Sequence, residues 1–234
     1  MIFVGDLHGG YPSLLYHIVK RAVTNEHIIQ VGDWGLGFAP LTDDIQALQR
    51  INAFLKERDI KLYIIRGNHD NKWYWTNGRK LGLTHVLLVE DYEVLTIEGQ
   101  RILFIGGGIS IDRSSRTIRK DYWPDEVFVY RKKALIHACR ESVDIVVSHI
   151  APASCWPYVL TPVVEHYINR EQIAGKDLKT ALLSEREQMD AVLAYVAKKG
   201  LKEWYYGHYH QSVTTHIQNI SLRCLDEGEL YYRR

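Results

Sequence analysis

Short apolar, β-branched runs recur along the chain and break off at a glycine followed by polar residues. Residues 2–4 stop at Gly5-Asp6, residues 28–31 at Gly32-Asp33, and residues 62–65 just ahead of Gly67-Asn68. Runs this short and this uniformly apolar read as strands buried on both faces. Between them, apolar residues return at helical spacing, at Leu14, Leu15, Ile18 and Val19 and again at Ile45, Leu48, Ile51, Phe54 and Leu55. Alternating strand and helix signals predict an α/β layout. From Val86 the rhythm changes: residues 86–89, 92–97 and 101–105 follow one another with tight connections, which predicts mixed or antiparallel pairing. A helix is expected over 127–140, a buried strand over 145–147, and a long helix from about 185 to 199 stopped by Gly200. Strands return at 204–206, 213–217, 222–225 and 230–232.

Composition narrows the picture without redirecting it. With 234 residues, 46% hydrophobic and 24% charged, the chain can bury a sizeable core, and no repeat or linker divides it, so one domain over 1–234 is expected. A net charge of +1 gives no overall basic field to draw nucleic acid or an anionic membrane, and any nucleic-acid contact would have to be local. Cys139, Cys155 and Cys224 are odd in number and lack metal-ligand spacing, which suits structural thiols. The apolar start is too short for a signal peptide, and no apolar run approaches the roughly 18 residues that span a bilayer. A soluble, cytoplasmic protein with no membrane partner is the expectation.

The chemistry gathers just after the strands. Asp6 and His8, Asp33, Asn68 and His69, His149, and His208 and His210 all follow apolar runs, positions that converge on a crevice at the strand ends of an α/β sheet. Carboxylate, amide oxygen and imidazole together suit divalent ions such as Mn, Fe, Zn or Co, and cysteine plays no part. Seven such ligands exceed one tetrahedral ion and suit two, and two metals about 3.5 to 4 Å apart can clamp the attacking and leaving oxygens of a displacement at phosphorus. Glycines beside the ligands permit the tight turns this requires.

Five motifs in order, Gly5-Asp6-Leu7-His8-Gly9, Gly32-Asp33, Gly67-Asn68-His69-Asp70, Ser148-His149 and Gly207-His208-Tyr209-His210, resemble those of calcineurin-like metallophosphoesterases. Any one of them alone is a weak signal; together, each behind an apolar strand, they are specific. The resemblance implies an α/β sandwich of two mixed β-sheets flanked by α-helices. It implies that Asp6, His8 and His210 hold one metal, that Asn68, His149 and His208 hold the other, and that Asp33 bridges them. His69 is then the catalytic histidine beside the metals. The cofactor is a pair of divalent ions, Mn in the first place, with Fe, Zn, Co or Ni as alternatives.

One feature departs from many relatives. Protein phosphatases and dinucleotide polyphosphate hydrolases of the superfamily follow the second motif with an Asp that pairs with the catalytic histidine and an Arg that binds phosphate. Here the residues are Asp33-Trp34-Gly35-Leu36-Gly37-Phe38, so both are missing and something else must orient His69; Asp70 is its neighbour in sequence. The basic segment after Gly106-Gly107-Gly108 offers Arg113, Arg116 and Arg119 as phosphate binders, with a solvated surface loop as the plain alternative. Trp156-Pro157-Tyr158 reads as ordinary packing, or else as a lid or stacking face.

The function expected is hydrolysis of phosphate monoesters or diesters by in-line attack of a metal-bridging hydroxide. The substrate would be a phosphorylated small molecule, a nucleotide or a nucleic-acid end. A serine/threonine protein phosphatase is the alternative, and a catalytically silent metal-binding scaffold is a third reading that retention of His69 and all seven ligands disfavours. Monoester or diester preference and oligomeric state stay open.

Overall fold

In the computed structural model, which describes residues 1–158 and 160–233, the apolar runs form two sheets packed face to face. The first is built from β1 (Ile2–Val4), β2 (Glu26–Gln30), β3 (Ile60–Ile64), β4 (Val86–Leu88) and β11 (Leu230–Tyr232), in the order β11-β1-β2-β3-β4. All its neighbours are parallel except β11, which runs antiparallel to β1. The second sheet has the order β5-β6-β7-β8-β10-β9, from β5 (Val94–Ile97), β6 (Gln100–Ile105), β7 (Ile145–Ser148), β8 (Glu203–Tyr206), β9 (Val213–Ile217) and β10 (Ile220–Cys224). Its β6, β7, β8 and β10 are parallel and its two outer hairpins antiparallel, so both sheets are mixed, as expected. The change of rhythm after Val86 marks where the chain leaves one sheet for the other.

Strand alternation explains the uniform apolar runs. Phe3, Ile29 and Tyr63 point into the sandwich against Ile102, Phe104, Ile145 and Val147 of the other sheet, and Phe3 stacks on Tyr205 with ring centroids 3.6 Å apart. Their neighbours Ile2, Val4, Ile28, Leu62 and Ile64 face outward, where α1 (Tyr11–Lys20) and α2 (Leu41–Lys56) cover them with Leu14, Ile18, Leu48, Ile51 and Leu55. On the far side, Leu103, Val146, Trp204 and Leu222 are covered by Leu135 of α4 (Lys132–Ala138) and by Met189, Val192 and Val196 of α6 (Leu178–Val196). The apolar stretches of β1, β6 and β7 are therefore dry on both faces, whereas β10 leaves Ser221 and Arg223 partly exposed on one of its faces.

Two helices lie outside the expected set: the short α3 (Trp73–Asn77) and α5 (Pro162–Ile173). Thr161 accepts a hydrogen bond from the Val164 N–H to cap α5, and Pro162 sits in its first turn, where a missing N–H costs nothing. The helix expected over 127–140 is shorter. The Phe128 N–H donates to Glu185 and the Val127 carbonyl accepts from Arg66, so tertiary partners claim the backbone groups that a first turn would use. The long helix begins earlier than its apolar stripe suggests, capped by Asp177, and it ends through a 3-10 turn at Gly200, whose φ of 91° is the expected glycine stop. All three cysteines are buried free thiols. No helix among the described residues is long and apolar enough to cross a membrane.

Candidate metal centre

The turns that leave β1, β2, β3, β7 and β8 meet at one edge of the sandwich and bring all eight strand-end residues together. Four of them, His8, Asp33, His208 and His210, have left-handed backbones with φ of 45°, 57°, 68° and 47°. Non-glycine residues seldom adopt this conformation, and holding each there costs on the order of 1 kcal/mol, so the surroundings must impose it. The Asp33 carbonyl accepts N–H bonds from Leu7 and His8 at 3.0 and 2.8 Å. The His69 N–H donates to Asp33 Oδ1 at 2.7 Å, and the His208 N–H to Asp6 Oδ2 at 2.9 Å. Two glycines allow this approach: a Cβ on Gly67 would lie 2.0 Å from Asp33 Oδ1, and one on Gly207 would lie 2.0 Å from Asp6 Oδ1.

The ligand atoms sort into two groups with Asp33 between them. On one side His210 Nε2 lies 3.2 Å from Asp6 Oδ2 and 3.2 Å from His8 Nε2. On the other, Asn68 Oδ1 lies 2.8 Å from both His149 Nε2 and His208 Nδ1. Asp33 turns Oδ2 toward His8 at 3.7 Å and Oδ1 toward His149 at 3.4 Å. Asp6, Asp33 and His149 are buried and offer ligand atoms within 4.8 Å of one another; Asp6, His8 and His210 also converge within 4.8 Å, with only Asp6 of the three buried. Asp6 Oδ1 is buried without a hydrogen-bond partner. A buried carboxylate with one oxygen unpartnered and the other beside His210, in a set of convergent imidazoles, is the environment a divalent cation satisfies, so the residues fit metal binding.

Charge balance points the same way. Burial would raise Asp33, but His149, His69 and His8 around it outweigh burial and hold its carboxyl well below the usual range. Burial likewise opposes protonation of His149, yet the Asp33 and Asp6 charges push it up to about 10. Burial and the neighbouring His149 push His208 well down. In the protein alone, a protonated His149 offsets the Asp33 charge and burial raises Asp6; a metal cation would supply that positive charge instead.

His69 does not depend on Asp70. The buried Asp70 carboxylate instead accepts the N–H groups of Trp34, Gly35, Leu36 and Gly67 at 2.8 to 3.1 Å, pinning the loop after Asp33 against the third motif. The side chain on His69 is Arg116, whose Nη2 lies 2.9 Å from Nε2. Arg116 is itself held by Asp112 Oδ1 at 2.8 Å. Burial pushes the His69 pKa down to about 4, and Asp33 only partly offsets it, so the imidazole is neutral near pH 7. Of the three arginines picked from the sequence, Arg116 alone lines the cavity at the centre. Arg113 lies 3.7 Å from buried Glu171, and exposed Arg119 borders a separate hollow beside Trp73 and Trp123.

The calcineurin-like phosphoesterase profile matches residues 1–212, nearly the whole chain. The chain belongs to the calcineurin-like phosphoesterase family. No curated protein matches it. Among solved structures it is similar to TT1561 of Thermus thermophilus, at 12% identity and TM-score 0.55, covering 97% of this chain and 89% of that one. It is similar to the phosphopantetheinyl hydrolase PptH of Mycobacterium tuberculosis, at 14% identity and TM-score 0.50, with 97% and 89% covered. It also resembles a putative 5'-nucleotidase of Staphylococcus aureus, at 14% identity and TM-score 0.50, with 97% of this chain but 48% of the other covered. At such identities the likeness establishes the fold.

Within this member of the family, the groups that orient the candidate ligands were missed in the sequence. Asn68 Nδ2 donates to Ser110 Oγ at 3.0 Å; Ser110 donates through Oγ and its own N–H to Glu126 at 2.9 and 2.8 Å. That chain fixes the Asn68 amide with its oxygen toward His149 and His208. Buried Arg66 ties the same loop down through Asp91 and the carbonyls of Gly106, Glu126 and Val127. The one signal for them was the Gly106-Gly107-Gly108 turn, which placed this segment near the site without saying which of its residues face inward.

Proposed function

We propose that this phosphoesterase is a binuclear metal-dependent hydrolase of phosphate monoesters or diesters. Asp6, His8 and His210 would hold one divalent ion, Asn68, His149 and His208 the other, and Asp33 would bridge, with Mn as the first choice. The observation that carries this reading is Asp33, whose two oxygens face two separate groups of ligand atoms. Bound ions would supply the positive charge that activates water and neutralises the phosphoryl oxygens.

The chain's own residues do the rest. Arg116, with its planar fork beside His69, would take a phosphoryl oxygen, and Asp112 keeps the guanidinium aimed. Binding phosphate would draw Arg116 N–H groups away from His69 and set phosphate charge beside its ring, which would favour uptake of a proton from solvent that the imidazolium could then give to the leaving oxygen. Arg116 would thus stand in, from another loop, for the Arg absent after Asp33, while Asp112 pairs with Arg116 rather than with His69. The substrate would be a phosphorylated small molecule, with nucleotides included. A protein phosphatase calls for an open groove, whereas here α5 and α6 wall in the cavity. Mn-reconstituted protein should hydrolyse p-nitrophenyl phosphate or its bis ester, and EDTA should stop it. Metal-loaded protein inert toward both would count against this function.

A further inference from the structure

The cavity above the candidate metal centre has a volume of about 640 Å³, several times the roughly 100 Å³ a phosphoryl group needs if a water takes about 30 Å³. Its floor is Asp33, Asn68, His69, His208 and His210. Its far part runs between the turn after β7 and the α5 and α6 helices, walled by Ile111, Ile150, Trp156, Val164, Tyr167 and Leu182. What lies above the phosphate is therefore predominantly hydrocarbon and aromatic.

The charged side chains on these walls are already committed. Arg186 donates to the carbonyls of Ala151, Pro152, Cys155 and Pro157, which consumes its fork. Glu185 accepts the N–H groups of Ile109 and Phe128. Arg116, paired with Asp112 at the edge of the floor, is the cation already assigned to the phosphate the floor holds. The Tyr209 hydroxyl accepts the Ala151 N–H. Among the described lining residues, then, no cation is left to meet a second phosphate or a carboxylate, and bringing one in unpaired is costly. Tyr167 and Gln211 remain as neutral polar handles.

We propose that this site takes a phosphoester whose organic group is a single apolar or aromatic moiety, lodged between Trp156 and the α5 and α6 walls, rather than a nucleoside polyphosphate or a nucleic-acid end. The proposal deepens the hydrolase reading and rests on it. Affinity comes from burying hydrocarbon next to a phosphate that the floor holds, at about a three- to four-fold gain for each buried methylene.

The test is binding, so that it separates from turnover. Calorimetry on Mn-reconstituted protein with methyl-, propyl-, pentyl- and heptylphosphonate, each step adding two methylenes, should show affinity rising about ten-fold per step. 6-Phosphonohexanoate, whose tail ends in a carboxylate, should bind at least ten-fold more weakly than pentylphosphonate. Val164→Asp and Leu182→Asp, two separate substitutions on different helices, should each flatten the rise. A flat series, a carboxylate tail that binds as tightly as the alkyl one, or a rise that both variants leave intact would overturn the proposal. Hydrolysis of the p-nitrophenyl esters, measured on the same preparation, reports independently on the hydrolase reading.

Discussion

The strand-end floor and the wall above it are built by opposite means. On the floor, parallel strands deliver side chains to one edge, backbone hydrogen bonds lock the turns, and two glycines admit carboxylates to within contact of the main chain. On the wall, the segment after Gly106 and the α5–α6 pair are held by side-chain to backbone ties, from Arg66 and Arg186 among others. The first arrangement suits a site whose geometry is a condition of the chemistry, the second a surface that shapes what sits beside it. A change on the floor, or at the residues of the Gly106 segment that touch it, should therefore cost catalysis or metal, and a change on the α5 and α6 wall should alter choice of substrate.

The largest effect should come from His69→Ala, a floor residue outside the two ligand groups: turnover of p-nitrophenyl esters should fall by about 10² to 10⁴ while metal stays bound. Arg116→Ala should follow, with a loss of about 10² to 10³ in kcat/KM, as expected for a charge-assisted contact to phosphate. Arg113→Ala and Arg119→Ala should each stay within about two-fold, because neither lines the floor. Equal losses for all three would erase the distinction between floor and surface loop. Ser110→Ala releases the Asn68 amide and should weaken metal affinity by about 10- to 100-fold, read by titration.

A smaller effect sharpens the contrast from the wall side. Burial pushes the Glu185 carboxyl up to about 7, against the two backbone N–H bonds that favour its charge. Its pKa is thus higher folded than unfolded, so its stabilising contribution is complete below the ordinary carboxylate range and is lost as pH rises through about 7. The loss between pH 4.5 and 8 should be about 3 kcal/mol at most by linkage. Denaturant melts of the metal-free protein should show this loss, and Glu185→Gln should reduce it; an identical pH dependence in the variant would mean that Glu185 does not carry it.

Most of the floor was legible in the sequence because each candidate ligand follows an apolar run, ended by a glycine in every case but Ser148-His149, and burial on both faces makes those runs conspicuous. The sandwich was legible for the same reason, together with the break in rhythm after Val86. The wall was not. α5 carries exposed Val163 and Ile173 among polar residues, so no apolar stripe announces it, although the Thr161 cap and Pro162 were a readable start signal. Arg116, Asp112, Ser110 and Glu126 sit in a loop of weak local preference, and their placement depends on Arg66 and Glu185, distant in the chain. Long-range ties of this kind leave no periodic trace. The sequence therefore put Arg113, Arg116 and Arg119 on an equal footing, when only Arg116 reaches His69.

The most direct test measures metal content and bis-p-nitrophenyl phosphate and p-nitrophenyl phosphate turnover on the same reconstituted samples of wild type, His69→Ala and Asp33→Asn. A bridged pair of ions predicts two ions and EDTA-sensitive turnover in wild type, two ions with little turnover in His69→Ala, and loss of both metal and turnover in Asp33→Asn. Full metal occupancy in Asp33→Asn, or undiminished turnover in His69→Ala, would contradict it.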